Sequence, residues 1–315
     1  MKAYVLRTEA NRTTLELREK PTPQPSPTQL LVKIRAASMN RGELIRGGAM
    51  SKPGEKPAGM DCAGEVVGTG EKVIGRLPGA FAEFGVMDRQ DAIPMPANLS
   101  WEEAAAIPIT FNVVYDMLVQ QGNLKSGEWL LVTGVTAGVG VAALQAGKAL
   151  GAKVIGTSGS PAKLEELKNL GLDLALQTRK PDFAEAVMKA TDGKGVNLVV
   201  NNVGGTVFAE CIKCMAYEGR LATVGYLDHT MKAELDLAAL HEKRLKLYGV
   251  SNKLRTAEQR KATVDGMKRD FMPFFASGKL KPLIHKVFAF DELPKAKDYM
   301  ESDSAGGKIV IRMPA

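Results

Sequence analysis

Residues Trp129 to Lys163 read WLLVTGVTAGVGVAALQAGKALGAKVIGTSGSPAK. Leu130 to Thr133 is a short apolar run of β-prone residues. Gly134, Gly138 and Gly140 crowd the turn that follows. Val141 to Leu150 has helix-forming composition and stops at Gly151. Lys153 to Gly156 is a second apolar strand, closed by Thr157, Ser158, Gly159 and Ser160. The order is strand, glycine turn, helix, strand, polar turn, a βαβ unit whose first turn can cradle a pyrophosphate. Glycines let phosphate oxygens approach the main chain. The following helix points free N–H groups and its positive dipole end at the anion. The spacing, Gly134-x3-Gly138-x-Gly140, differs from the commoner G-x-G-x-x-G, so the strand–turn–helix–strand context carries the reading. A purely structural glycine turn is the alternative.

The second turn bears on which dinucleotide is preferred. Units that take NAD place an Asp or Glu about 20 residues after the glycines, on the ribose 2′-hydroxyl. Here the strand tip carries Ser158 and Ser160, followed by Lys163, and no acid appears before Glu165. An acid would repel a 2′-phosphate, whereas hydroxyls and a lysine attract it. NADPH is therefore the expected cofactor. Ser160 also suits a helix cap with Pro161 at the first helical position; the two roles are compatible.

The 315 residues suffice for two domains. A hydrophobic share of 45% and a charged share of 24% describe a globular protein. The net charge is +7, but the basic residues are scattered, which argues against nucleic acid as a partner. Three cysteines fit a reducing compartment without a disulfide framework. Residues 129–147 carry no charge, yet their glycines and strand–turn–helix pattern make them a buried βα unit rather than a membrane span. The N-terminal MKAYVLRTEA enters a strand pattern directly, without a charged-then-apolar leader. A cytoplasmic location is expected.

Short strands with Gly and Pro punctuation suggest a compact, mostly β unit up to about residue 100. Ser100 and Glu103 have capping-box spacing. Phe111 to Gln121 is expected to be a helix. Beyond Lys163, strands at Leu174, Val196, Arg220 and Lys246 alternate with helices, the pattern of a parallel doubly wound sheet. Ala257 to Ser277 reads as one helix, and Gly278 to Phe290 and Lys308 to Arg312 as strands returning to the first domain. Cys211-x2-Cys214 lies in a helix without a second pair, and reads as two core cysteines. Asp116 reads as a capping or surface carboxylate, and Glu83 as a residue ordering the domain junction.

The chain resembles the zinc-independent quinone oxidoreductase branch of the medium-chain dehydrogenase/reductase superfamily. The likeness runs through Ala36-Ala37-Ser38-Met39-Asn40, Gly59-Met60-Asp61-Cys62-Ala63-Gly64, Gly79-Ala80-Phe81-Ala82-Glu83-Phe84 and Ala104-Ala105-Ala106-Ile107-Pro108. It continues through Val132-Thr133-Gly134, Gly138-Val139-Gly140, Asn202-Val203-Gly204, Gly219-Arg220-Leu221 and Gly307-Lys308-Ile309-Val310. The resemblance implies an α/β fold in two parts. A GroES-like, mostly β domain spans 1–110 and is completed by 253–315; a Rossmann doubly wound parallel sheet spans 111–252. It implies a nicotinamide cleft between them and a homodimer joined through a strand like Leu245 to Val250.

Carried over by position, Asn40 faces the nicotinamide ribose, and Thr133, Ala137, Gly138, Val139 and Gly140 form the pyrophosphate turn. Ser158, Ser160 and Lys163 surround the 2′-phosphate, while Val203, Gly225, Val250 and Ser251 line the nicotinamide pocket. Zinc relatives have a catalytic Cys near Ser38 and Gly-His-Glu at 59–61; here Ser38, Met60 and Asp61 stand there, so no metal is expected. The tyrosine of many quinone reductases in the short helix after Asn40 is replaced by Leu44 or Ile45, and that after the third Rossmann strand is replaced near Thr178. The implied activity is zinc-independent hydride transfer from NADPH to a small-molecule quinone or other α,β-unsaturated carbonyl, with Asn40, Arg41 and Thr110 as polar groups near the developing oxyanion. An alkenal or enoyl-thioester reductase, or a non-catalytic NADPH-binding sensor, are the alternatives.

Overall fold

A computed structural model describes residues 1–9, 12–44, 54–302 and 305–314. Ile45 lies outside the described residues. The chain divides into two compact units, Met1–Asn112 with Lys253–Ala315, and Val113–Asn252.

The second unit holds one six-stranded sheet. In spatial order its strands are Leu174–Gln177, Lys153–Ser158, Trp129–Thr133, Val196–Asn201, Met215–Thr223 and Lys246–Gly249. Every pairing is parallel. Trp129–Thr133, first in the chain, sits in the middle, with later strands laid outward on both sides. The order therefore reverses beside it, which is where a doubly wound sheet opens a crevice at its strand ends. Leu130, Leu131, Val132, Val154, Ile155, Leu198, Val199 and Val200 are buried, as expected for strands covered on both faces.

Among the described residues, the first unit is antiparallel apart from one pairing. Arg12–Glu19, Lys2–Glu9 and Gly54–Pro57 form a three-stranded sheet. The larger sheet runs Ile284–Ala289, Lys308–Arg312, Gln29–Ser38, Asp61–Val66, Lys72–Arg76 and Ile93–Pro94, with Phe84–Asp88 also paired to Gln29–Ser38. Lys308–Arg312 lies inside it, parallel to Ile284–Ala289 and antiparallel to Gln29–Ser38. Tyr4, Leu6, Ile34, Phe81, Met87, Phe290 and Ile311 belong to its core. Glu83 serves this unit, where its Oε2 accepts from the Lys2 amide at 2.7 Å.

Ser100 and Glu103 close the capping box, with the Glu103 amide 3.2 Å from Ser100 Oγ and the Ser100 amide 2.9 Å from Glu103 Oε2. Two expected helices are interrupted. The helix Pro108–Tyr115 widens over Asp116–Gln120, where the Gln121 amide reaches back to the Asp116 carbonyl. The widened turn leaves the Met117 carbonyl to accept from the Tyr248 hydroxyl at 2.6 Å. Asp116 is buried, not exposed, and accepts from Gln121 Nε2 at 3.1 Å. Ala257–Asp270 and Met272–Ala276 are separate helices broken at Phe271, since Pro273 has no amide hydrogen to continue the ladder. The expected strand over 278–290 is confined to Ile284–Ala289. Cys211 and Cys214 are buried free thiols.

Candidate active site

The strand Trp129–Thr133 ends in a turn and gives way to the helix Gly138–Ala149. Gly134 has φ +63°, a left-handed conformation that glycine takes without strain. Gly140 is fixed by space: a Cβ there would lie 2.5 Å from the Gly134 carbonyl oxygen and 2.8 Å from Val135 Cα. The absence of that carbon lets the helix start directly against the turn. Ala137 occupies the cap position and has no side-chain hydrogen bond to offer. The first amides of this 12-residue helix are left to an acceptor from outside the helix. Gly134, Ala137, Gly138 and Val139 are partly exposed, whereas Gly140 is buried.

Thr133 holds this turn from beneath. It is buried, and its hydroxyl donates to Asn201 Oδ1 at 3.0 Å. The Asn202 amide donates to Thr133 Oγ1 at 3.2 Å, and Asn202 Nδ2 to the Thr133 carbonyl at 3.2 Å. Asn201 Oδ1 also accepts from the Val203 and Gly204 amides at 3.1 and 3.0 Å. Val203 is thereby fastened to the end of the central strand. Leu227 lies over the same turn, its Cδ1 3.1 Å from where a Gly134 Cβ would be. Gly225 abuts Asn202, whose carbonyl a Cβ at 225 would meet at 2.8 Å. Val250 is buried and its amide donates to the Thr223 carbonyl at 3.3 Å; Ser251 is exposed.

The second turn joins the first. Ser158 Oγ lies 3.0 Å from Thr136 Oγ1, and the Ser160 amide donates to Ser158 Oγ at 3.3 Å. Ser160 caps the helix Pro161–Lys168 by accepting from the Lys163 amide at 3.4 Å. Glu165, the first acid, is exposed and paired with Lys168. Sequence reasoning missed Arg179, whose side chain crosses Gly159 so closely that a Cβ there would fall 2.0 Å from its Nε. Gly159 thus leaves space for a guanidinium at the strand tip. A glycine facing a basic residue 20 positions later is a signal only once strand pairing is known.

The other candidates lie in the first unit, in a buried polar knot. Asp61 is fully buried; its Oδ2 accepts from Ser38 Oγ at 2.9 Å and Asn40 Nδ2 at 3.0 Å, and its Oδ1 from the Ile109 amide at 2.9 Å. Lys308 donates to the Met39 carbonyl at 3.0 Å and to Asn40 Oδ1 at 2.9 Å, with its Nζ 4.0 Å from Asp61 Oδ2. Glu43 lies 3.5 Å from Asn40 Nδ2, and its Oε1 has no partner among the described residues. Burial, then the Asp61 charge, pushes the Glu43 carboxyl up to about 8. Burial also raises Asp61 and lowers Lys308. Asn40 therefore engages both ends of its amide within the knot. Arg41 donates to the Met300 carbonyl at 2.7 Å, and Thr110 is buried on the helix whose Ile109 amide binds Asp61.

Comparison with known proteins bears out the α/β fold class. Residues 138–264 match the zinc-binding dehydrogenase family. The chain is 28% identical over 305 residues to a quinone oxidoreductase-like protein 2 homolog of Nematostella vectensis, covering 90% of this chain and 81% of that one. A solved NAD-dependent alcohol dehydrogenase superposes over all of both chains, with a TM-score of 0.87 and 28% identity. The chain belongs to the medium-chain dehydrogenase/reductase superfamily. Within this superfamily of oxidoreductases it is a zinc-independent, quinone oxidoreductase-like member. Another superfamily relative of known structure, the CurK enoyl reductase, has a TM-score of 0.82 at 25% identity, covering 99% of each chain. A phenolphthiocerol/phthiocerol polyketide synthase of Mycobacterium tuberculosis is 30% identical over 306 residues, 92% of this chain. The chain spans only 14% of that synthase's length.

Proposed function

We propose that this chain is an NADPH-dependent reductase that delivers hydride to a quinone or another α,β-unsaturated carbonyl, without zinc. The observation that carries the cofactor choice is the second turn. Ser158 and Ser160 sit at the start of the helix Pro161–Lys168, Lys163 lies in its first turn and Arg179 crosses Gly159. This combination suits a dianionic 2′-phosphate, and no acid stands where a ribose 2′-hydroxyl would need one. The glycine turn suits the pyrophosphate: its helix is uncapped by side chain, and the close approach at Gly140 keeps the turn tight.

The bound cofactor supplies the hydride. The chain's own part is to bind and orient it: the amides of Gly138 and Val139 take the pyrophosphate, Thr133 and Asn201 hold the turn, and Val203 and Gly225 form the adjoining surface. Val250 and Ser251 complete the nicotinamide side. Asn40, Arg41 and Thr110 remain the polar candidates near the acceptor. Because Asn40 is held at both amide ends, it suits hydrogen bonding and positioning rather than proton donation, and solvent supplies the proton. The acceptor class rests on a shared chemistry. A quinone and an enone each present an electron-poor π system that takes hydride conjugate to a carbonyl, and the names of the solved enoyl reductase and the quinone oxidoreductase-like relative point to acceptors of this kind.

The test follows oxidation of NADPH and of NADH against a panel of quinones and enones. NADPH-selective turnover is expected. Equal use of NADH overturns the reading of the second turn, and tight NADPH binding without turnover establishes the sensor alternative. Arg179→Ala is expected to raise KM for NADPH about tenfold, the order for one charge-assisted hydrogen bond, and to leave NADH unchanged. An equal effect on both cofactors removes Arg179 from the 2′-phosphate site.

The same reading includes a homodimer built along Lys246–Gly249, which is paired on one side only among the described residues; light scattering checks it. It also includes a cytoplasmic setting, with which the buried free thiols agree. Among the described residues no helix is long and apolar enough to cross a membrane.

A further inference from the structure

The segment after the fifth strand of the parallel sheet, Gly225 to Lys232, is stitched to the loop after the fourth. The Leu227 amide donates to the Asn202 carbonyl at 3.2 Å, the Asp228 amide to the Val203 carbonyl at 2.9 Å, and the Gly205 amide to the Thr230 carbonyl at 2.8 Å. One side chain ties these main-chain contacts together. Asp228 Oδ2 accepts from the Thr206 amide at 2.8 Å and the Thr206 hydroxyl at 2.5 Å, and Oδ1 accepts from the Thr230 amide at 2.8 Å. Gly204 makes room for it: with φ +123°, it would place a Cβ 2.2 Å from Asp228 Oδ1. Hydrogen-bond donors, not a cation, hold this carboxylate among the described residues. Partial burial pushes its pKa up, and the bonds from Thr206 and Thr230 more than offset this, leaving it below the usual aspartate value.

We propose that Asp228 is a positioning residue for the nicotinamide half of the cofactor, acting through Val203 and Leu227. The inference rests on the NADPH reading above and adds what holds its distal half. Asp228 does not face the ligand. Its carboxylate fixes the spacing of the two loops, and that spacing sets where their apolar side chains lie. Leu227 Cδ1 and Val203 Cγ2 converge on the bare face of Gly134, 3.1 and 3.4 Å from the place of its missing Cβ. The pyrophosphate turn and its apolar border are therefore one surface, fastened at its outer end by Asp228. The adenosine end lies elsewhere, at Ser158, Lys163 and Arg179, and contains none of these bonds.

This separation gives the test. Binding of NADPH and of adenosine 2′,5′-bisphosphate, which carries only the adenosine half, is measured by calorimetry on the wild type, Asp228→Ala, Asp228→Asn and Thr206→Val. Asp228→Ala is expected to weaken NADPH by about tenfold or more, as misplacement of a contact surface does, while the bisphosphate binds as before. Asp228→Asn keeps one acceptor oxygen, for either the Thr230 amide or the Thr206 groups but not both, and is expected to fall between. Thr206→Val, which removes one of the three donors, moves the same way by less and serves if Asp228→Ala does not fold. Equal weakening of both ligands, or of neither, overturns the proposal. If the wild type ignores the bisphosphate yet binds NADH, the NADPH reading fails. The role of Asp228 is then decided by the same comparison between NADH and AMP.

Discussion

Gly140→Ala is expected to abolish measurable NADPH binding and to lower the unfolding free energy by about 1–3 kcal/mol or more, the usual cost of forcing extra atoms into a packed site. The added carbon would sit 2.5 Å from the Gly134 oxygen, 2.8 Å from Val135 Cα and 2.8 Å from the Val135 oxygen. All three are backbone atoms, so no side-chain rotation relieves the overlap. Either the helix Gly138–Ala149 lifts from the strand end or the turn opens. In both cases the amides of Gly138 and Val139 lose their aim at the anion, and the dipole end of the helix moves away. Fluorescence titration with NADPH and a denaturant melt check the two effects together. Wild-type affinity in a protein of wild-type stability would show that the close approach does not matter.

Lys308→Met is expected to destabilise the first unit by about 3–5 kcal/mol, the range for removing one partner of a buried charge pair. It leaves Asp61 and Glu43 without their ammonium and the Met39 carbonyl and Asn40 Oδ1 without a donor. The effect depends on pH with a definite sign. Glu43 titrates at about 8 in the folded chain against an ordinary 4.5. The folded state therefore binds the extra proton, and stability falls as pH rises from the ordinary value through about 8. Asp61, also raised by burial, adds to this trend. Lys308, lowered by burial, opposes it as pH approaches the ordinary lysine value of 10.5. Urea unfolding of the wild type is thus expected to give a higher midpoint at pH 6 than at pH 8.5. Glu43→Gln should flatten that difference, and Lys308→Met should widen it, since protonation can relieve the bare carboxylates only on the acid side. A wild-type midpoint that rises with pH over this range would mean Glu43 is ionised in the folded chain.

The features legible in the sequence are those made by neighbours along the chain. The glycine turn, the capping box of Ser100 and Glu103 and the Ser160 cap each depend on residues a few positions apart, so spacing alone states them. The alternation of strand and helix located the parallel sheet for the same reason. What stayed hidden depends on partners far away in sequence. The widened turn at Asp116 reflects the Tyr248 hydroxyl, which reaches the Met117 carbonyl 131 residues away. Asn40 reads as a polar group near the cofactor, and its bond to Lys308, 268 residues later, is not legible in the sequence. Arg179 gains meaning only from the parallel pairing of Lys153–Ser158 with Leu174–Gln177, which brings it over Gly159. Thr133 reads only as a member of the pyrophosphate turn, and the brace its hydroxyl makes with Asn201, 68 residues away, is seen only once the strands are paired.

The interior place of Lys308–Arg312 has a consequence for synthesis on the ribosome. Gln29–Ser38 is translated early, with its partners Asp61–Val66 and Phe84–Asp88 soon after, but Lys308–Arg312, which pairs with its Ala36–Ser38 end, follows only after the whole segment Val113–Asn252. The continuous segment can complete its sheet while the earlier unit still lacks the strand that covers Ala36–Ser38. Through that interval Asp61 also lacks its buried cation. The first unit is thus completed only when its last strand has been translated, and the nascent N-terminal portion is the stage at which a chaperone that covers strand edges has the most to protect.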